Sequence, residues 1–347
     1  MLLRVVDMHT AGEPVRIVVE GYPELRGRTV LDKRREAMAQ HDHLRRALML
    51  EPRGHASMYG VIPVPASGPN AVMGALFTHG EGYSTMCGHA TIALGRFLVE
   101  TGLVPAREPE TAFALELPCG LVSVTCRVEA GRVVETEFES VPAFLRRLDL
   151  PVTVEGFGTV DIDIAYGGAF YALLPASRLG LDFGTTPLDS LTCAAAAVMN
   201  AVRAAVPISH PSEPDLGFLY GTILTDDAPP PEPTFNLCVF AEGQVDRSPT
   251  GSGVTARVSR DHARGLTMAD GPARTFRGPT GLSFTGRVAR VLGDAVTVRV
   301  TGTSAFIGES TFRIEADDPL AYGFALPRTF GALPAAGTGN VALSRRR

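Results

Sequence analysis

Lysine is nearly missing: of the 32 Lys and Arg residues in this 347-residue chain, a single one is lysine, Lys33. A pyridoxal-phosphate enzyme needs a lysine for its Schiff base, and a Walker loop needs one directly after its glycines. Lys33 stands in the charged run LDKRREA, which predicts a solvated helix face, so neither chemistry has a candidate. Paired cysteines are missing too. Cys87, Cys119, Cys126, Cys193 and Cys238 are odd in number, irregularly spaced and without a CxxC pair, which suits free thiols in a reducing compartment. No long basic run accompanies the net charge of −5, so nothing marks a nucleic-acid or membrane-surface partner. No segment reaches the ~18 apolar residues of a membrane span; the longest candidate, 193–206, is broken by Asn200 and Arg203. Arg4 and Asp7 interrupt the short apolar start before it could serve as a signal sequence. These absences point to a cytoplasmic protein with a small-molecule partner.

With 45% apolar and 20% charged residues, the composition is that of a soluble globular protein. The length exceeds the ~150 residues of a typical single domain, so two domains are expected. Internal repetition supports this. DMHTAGEPVRIVV at 7–19 is echoed by DIAYGGAFYALLP at 163–175, and MCGHATIALGRF at 86–97 by PTGSGVTARVSR at 249–260. The stretch at 117–138 is likewise echoed at 278–300, as a glycine turn followed by two alternating strands. The offsets are 156, 163 and 161 residues, in the same order.

The reading is an α+β fold of two pseudo-symmetric domains, each an antiparallel barrel-like sheet around a central helix. The first spans 1–140, with 310–330 as a possible completion, the second spans 141–309, and 331–347 forms a frayed tail. Alternation in VSVTCRV and VTVRV marks strands. Ile92, Leu94, Phe97 and Leu98 give residues 89–101 a helical apolar face with Gly102 as its stop; a second helix follows Gly253, and a third is expected over 188–205.

A pseudo-twofold axis would bring the glycine turns at 87–89 and 250–253 face to face. Each opens a helix N-terminus, where unpaired N–H groups and the helix dipole favour an anion. Two such ends can hold a carboxylate and the charge that develops when the adjacent carbon loses a proton. Buried cysteines are usually inert, and Cys119, Cys126, Cys193 and Cys238 are read that way. Cys87 differs, because a thiol at a helix N-terminus has its pKa lowered from about 8.5 toward neutrality and can act as a base. Cys87, His89 and His79 lack the spacing of a zinc site.

MCGHATI and DRSPTGSG resemble the two signature segments of the proline racemase family, and DMHTAGEP, EGYSTMCGH, YGGAFYALL, HPSEPDLGFLYGTILTD and GESTF extend the resemblance over nearly the whole chain. The family implies a diaminopimelate-epimerase-like fold and cofactor-independent, metal-free chemistry at the α-carbon of an imino acid. Its racemases and epimerases use two cysteines on opposite substrate faces. Here the second is Thr250, whose hydroxyl is no match for a thiol as acid or base. That pattern, with Ala169 where racemase-like relatives more often carry asparagine, resembles the branch that dehydrates trans-3-hydroxy-L-proline to 1-pyrroline-2-carboxylate. In that substrate the hydroxyl and the α-hydrogen share one ring face, so one base suffices.

By resemblance Cys87 is the base, Gly88 and His89 line the substrate, Asp246 binds the ring nitrogen, and Gly251 and Ser252 offer N–H groups to the carboxylate. The competing readings are an Asx cap for Asp246 and a locally bonded helix residue for His89. The alternative functions are a 4-hydroxyproline 2-epimerase or proline racemase-type isomerase, and a non-catalytic imino-acid binder. A homodimer stays open.

Overall fold

The computed structural model describes residues 1–226, 228–241 and 243–326. The expected tail at 331–347 lies outside them.

One order of elements occurs twice. The first pass runs β1 (Leu2–Thr10), β2 (Glu13–Glu20), α1 (Val30–Gln40), α2 (Asp42–Met49), β3 (Tyr59–Val64), β4 (Met73–His79), β5 (Gly82–Ser84), α3 (Gly88–Glu100), β6 (Glu110–Leu117), β7 (Gly120–Glu129) and β8 (Arg132–Glu139). Strand β9 (Ala143–Val154) then leads into the second. That pass comprises β10 (Gly158–Tyr166), β11 (Phe170–Pro175), α4 (Leu188–Ala205), β12 (Leu219–Thr225), β13 (Thr234–Phe240), β14 (Gln244–Val245), α5 (Gly251–Ala263), β15 (Arg274–Arg277), β16 (Ser283–Leu292) and β17 (Ala295–Gly302). The last strand, β18 (Ser304–Arg313), returns to pair antiparallel with β1, just as β9 pairs with β10.

Among the described residues four strand pairs are parallel, where the sequence led us to expect antiparallel sheets: β2 with β3 and β4 with β6, then β11 with β12 and β13 with β15. Parallel neighbours require a long crossover. Each of these pairs is bridged by a connection that carries a helix: α1 and α2, α3, α4, and α5 respectively. The exceptions fall at equivalent places in the two passes, so the duplication extends to the hydrogen-bond pattern.

The sheet encloses two helices. α3 packs against β1, β2, β7, β8, β17 and β18, and α5 against β9, β10, β11, β16 and β17. Helix α3 can be enclosed because GHATIALGRFLVE is apolar almost all round. Helix α5 carries polar residues into its core and pairs most of their polar atoms there, Arg257 Nε excepted. Buried Arg257 donates to Asn236 Oδ1 at 2.6 Å and to Thr234 Oγ1 at 3.0 Å, and burial lowers its pKa to about 9.

Helix α1 departs from its expected solvated face. Lys33 is 5% exposed, and its Nζ donates to the Pro65 carbonyl at 2.8 Å. A long aliphatic stem can cover apolar surface while its ammonium finds a single acceptor, which a local charge pattern does not show. The burial expected of four cysteines holds for Cys126 and Cys238, whereas Cys119 is half-buried and Cys193 exposed.

Candidate active site

The two enclosed helices meet end to end. A Cβ built on Gly88 would fall 2.4 Å from Gly251 Cα, and one built on Gly251 would fall 2.7 Å from Gly88 Cα. Only glycine allows backbones this close. Cys87 caps α3 and Thr250 caps α5, so the contact brings one cap from each half to a single cavity. All seven residues singled out in the sequence, Cys87, Gly88, His89, Asp246, Thr250, Gly251 and Ser252, line it. Its free volume is about 10 Å³, room for roughly one water. A ring the size of proline can enter only if the lining moves apart.

The leading N–H groups of α3 and α5 have no partners within their own helices. Cys87 Sγ already uses one of the next: Ala90 N–H donates to it at 3.4 Å. His89 Nδ1 lies 3.2 Å from the sulfur and Nε2 3.6 Å. Burial lowers the His89 pKa, opposed by Asp246 and the Pro14 backbone, which favours the neutral imidazole, a ring that can accept a proton from the thiol.

The thiol is not acidic in this closed site. Burial pushes the Cys87 pKa well up, and the nearby carboxyls of Asp246 and Glu13 push it the same way. The Ala90 N–H and the Tyr59 hydroxyl oppose this and lose. This corrects the expectation of a lowered pKa: the helix end is present, but desolvation of a thiolate outweighs it.

Thr250 faces Asp246 through its hydroxyl, which donates to Oδ2 at 2.8 Å. The other oxygen, Oδ1, accepts from Ser248 N–H at 2.7 Å. Thr250 has φ 62°, a region where β-branched residues are outliers; its N–H is held by Ser248 Oγ at 3.1 Å. The side chain thus orients a carboxylate. Glu13, fully buried, crosses between the halves to accept the Arg247 N–H at 2.7 Å. Burial and the neighbouring Asp246 raise its pKa well above the usual carboxylate range.

Sequence reasoning missed the aromatic wall. Tyr59, Tyr171, Tyr220 and Phe240 also line the cavity. Tyr220 stacks on Phe240 at 5.3 Å, and the Tyr171 hydroxyl bonds Ser252 Oγ at 2.7 Å. Tyr59 makes an edge contact with His89 at 4.7 Å and hydrogen-bonds Ser84 Oγ, and its hydroxyl is among the groups that oppose the rise of the Cys87 pKa. These residues come from strands β3, β11, β12 and β13. Tyr171 sits in the YGGAFYALL stretch and Tyr220 in HPSEPDLGFLYGTILTD, the signals that could have found them; Tyr59 and Phe240 lie in neither. A larger groove of about 460 Å³ lies elsewhere, but its Glu137, Glu139, Arg287 and Arg299 already pair with one another.

A capped pair of opposed helix ends with a carboxylate between them defines a site for proton transfer beside a bound anion. The proline racemase family profile matches residues 5–325, and the chain belongs to that family. Among curated relatives, a trans-3-hydroxy-L-proline dehydratase of Homo sapiens is 52% identical over 336 residues, 94% of this chain and 95% of the relative. One of Colwellia psychrerythraea is 41% identical over 326 residues, 92% of each chain. Among solved structures, a hydroxyproline epimerase from Agrobacterium vitis with bound trans-4-hydroxy-L-proline superposes with a TM-score of 0.89 at 28% identity, covering 95% of this chain and 96% of that one. A probable proline racemase from Agrobacterium radiobacter gives 0.88 at 29%, covering 93% and 96%.

Proposed function

We propose that this chain dehydrates trans-3-hydroxy-L-proline to 1-pyrroline-2-carboxylate, acting as a hydro-lyase. The observation that carries the reading is the asymmetry of the caps: a thiol on α3 and, on α5, a hydroxyl committed to Asp246. One face of a bound ring then meets a proton acceptor of thiol acidity and the other does not. Relatives at 40–52% identity named as dehydratases of this compound support the same choice.

The chemistry follows from the charges. A bound imino acid brings an ammonium and a carboxylate. The ammonium pairs with Asp246, which removes one of the fields that disfavour the thiolate. The carboxylate takes the free N–H groups at Gly251 and Ser252, where the α5 dipole stabilises it. His89 accepts the thiol proton, and Cys87 as thiolate withdraws the α-hydrogen. The C–H electrons form the C2=C3 bond as the C3–O bond breaks, and the departing oxygen leaves as water after taking a proton. The enamine then moves its double bond to nitrogen, giving the cyclic imine.

The reading includes a cytoplasmic location and a small-molecule imino-acid substrate, without a nucleic-acid or membrane partner. No helix among the described residues is long and apolar enough to cross a membrane. It takes residues 1–140 and 141–309 as the two units, with 310–330 as a possible completion of the first, of which 327–330 lie outside the described residues, and it leaves room for a homodimer. The test is to incubate the purified protein with trans-3-hydroxy-L-proline, trans-4-hydroxy-L-proline and L-proline, with Cys87→Ala as the blank. Imine formed from the 3-hydroxy compound alone is the expected result; optical change in either of the others with no imine overturns the assignment.

A further inference from the structure

Elimination needs a proton for the departing hydroxyl, and the geometry limits where it comes from. In the trans-3-hydroxy compound the leaving oxygen lies on the ring face of the α-hydrogen, the face that Cys87 serves. The N-terminal half contributes Tyr59, Met86, Cys87, Gly88 and His89 to the cavity. Met86 and Gly88 carry no transferable side-chain proton. In the proposed reaction His89 holds the thiol's own proton, which returns to the sulfur when the site empties, and Cys87 is the base that takes the α-proton. Tyr59 is the further group of this half that carries a transferable proton. It lines the cavity together with Cys87, its ring meets His89 edge-on at 4.7 Å, and its hydroxyl is backed by fully buried Ser84. When the Ser84 hydroxyl donates to the phenol oxygen, the phenol proton is free to point into the cavity.

We propose that Tyr59 is a catalytic residue, the general acid that protonates the leaving 3-hydroxyl, with Ser84 as its positioning residue. The inference rests on the dehydratase reading. As the C3–O bond breaks, its electron pair takes the Tyr59 proton and water departs. The phenolate is restored by the proton that Cys87 took from the α-carbon, so the pair ends the cycle as it began. Burial pushes the Tyr59 pKa upward, which keeps the phenol protonated until a strongly basic oxygen develops beside it.

The test separates proton removal from departure of the hydroxyl. In D₂O, wild-type protein should form imine from trans-3-hydroxy-L-proline while the unreacted substrate gains little deuterium. Tyr59→Phe should lose on the order of 10²- to 10⁴-fold in imine formation, the usual contribution of a general acid. It should still exchange the α-hydrogen with retained configuration, because Cys87 returns deuterium to the face it serves. With trans-3-chloro-L-proline, whose chloride leaves unprotonated, Tyr59→Phe should eliminate at close to the wild-type rate. Ser84→Ala, which keeps the phenol, should show the same partition more weakly and serves if Tyr59→Phe does not fold. Wild-type imine formation in Tyr59→Phe, or equal loss of exchange and elimination with both substrates, would overturn the proposal. The same applies to a Ser84→Ala enzyme in which exchange and elimination fall together. Wild-type protein that forms no imine from the 3-hydroxy compound would instead remove the underlying dehydratase reading.

Discussion

Replacing Gly88 by alanine tests how closely the two halves must meet. The new methyl would stop 2.4 Å from Gly251 Cα, 2.9 Å from its carbonyl carbon and 3.0 Å from Ser252 N. The first of these is about 1.1 Å inside the ~3.5 Å at which carbon atoms rest. All three atoms are backbone, so no side-chain rotation relieves the clash and α3 and α5 must part by about 1 Å. Overpacking of this kind costs about 1–3 kcal/mol. The better helix propensity of alanine returns at most ~0.5–1 kcal/mol, and less at the first helical position, so a net loss of up to about 2.5 kcal/mol is expected. Activity should suffer more than stability, since a 1 Å misplacement of reacting groups can lower a rate about 10²-fold. Urea unfolding at unchanged m-value and the initial rate of imine formation measure the two effects. Gly82→Ala and Gly308→Ala, whose Cβ meets nothing within 4 Å, are the controls. Gly95→Ala, facing the movable side chains of Thr136, Val124 and Cys126, should lose stability with little change in rate. A Gly88→Ala enzyme as stable and as fast as Gly82→Ala would refute the reasoning.

Three further predictions concern charge and stereochemistry. Thr250→Cys places a thiol on the far face and should allow some α-epimerisation, read as solvent deuterium entering with inverted configuration; none would count against opposed caps. Asp246→Asn should raise KM for the substrate. It should also lower the pH at which Cys87 is alkylated in the free enzyme, because the carboxylate is one of the groups holding that thiol up; an unmoved alkylation profile would remove Asp246 from that role. His79 is buried, its pKa lowered to about 3 by burial and by Arg45 and Arg34. Only the unfolded chain takes up a proton there between pH 6.5 and 3. Stability should therefore fall through that window as pH drops, by up to about 1.4 kcal/mol per pH unit from this group. His79→Phe should flatten the slope, and an identical slope would show that His79 is not a source of it.

The parts of the site legible in the sequence were those built from contiguous residues. Cys87, Gly88 and His89, and likewise Thr250, Gly251 and Ser252, announce themselves because a cap and its glycine are neighbours in the chain. Their mutual contact followed from repetition, since two copies of one turn imply an axis relating them. Tyr59 and Phe240 were illegible for the opposite reason. A strand residue faces the cavity or turns away from it according to register, and register is set by pairings such as Tyr59 with His79 on the next strand. The acidity of Cys87 was misjudged because a cap can be read from sequence while its desolvation cannot. Lys33 was misplaced similarly: what covers it is the loop at Pro65, 32 residues away. The parallel pairs were missed because alternation identifies a strand but not its direction.

The return of β18 to β1 bears on how the protein is made. During synthesis the β9–β17 half has all its strands once Gly302 has emerged, whereas the half begun first still lacks the partner of β1. Until then β1 presents an unpaired edge, a template for wrong pairings. Maturation therefore runs against the direction of translation, and the unit that holds the thiol is sealed only when β18 arrives.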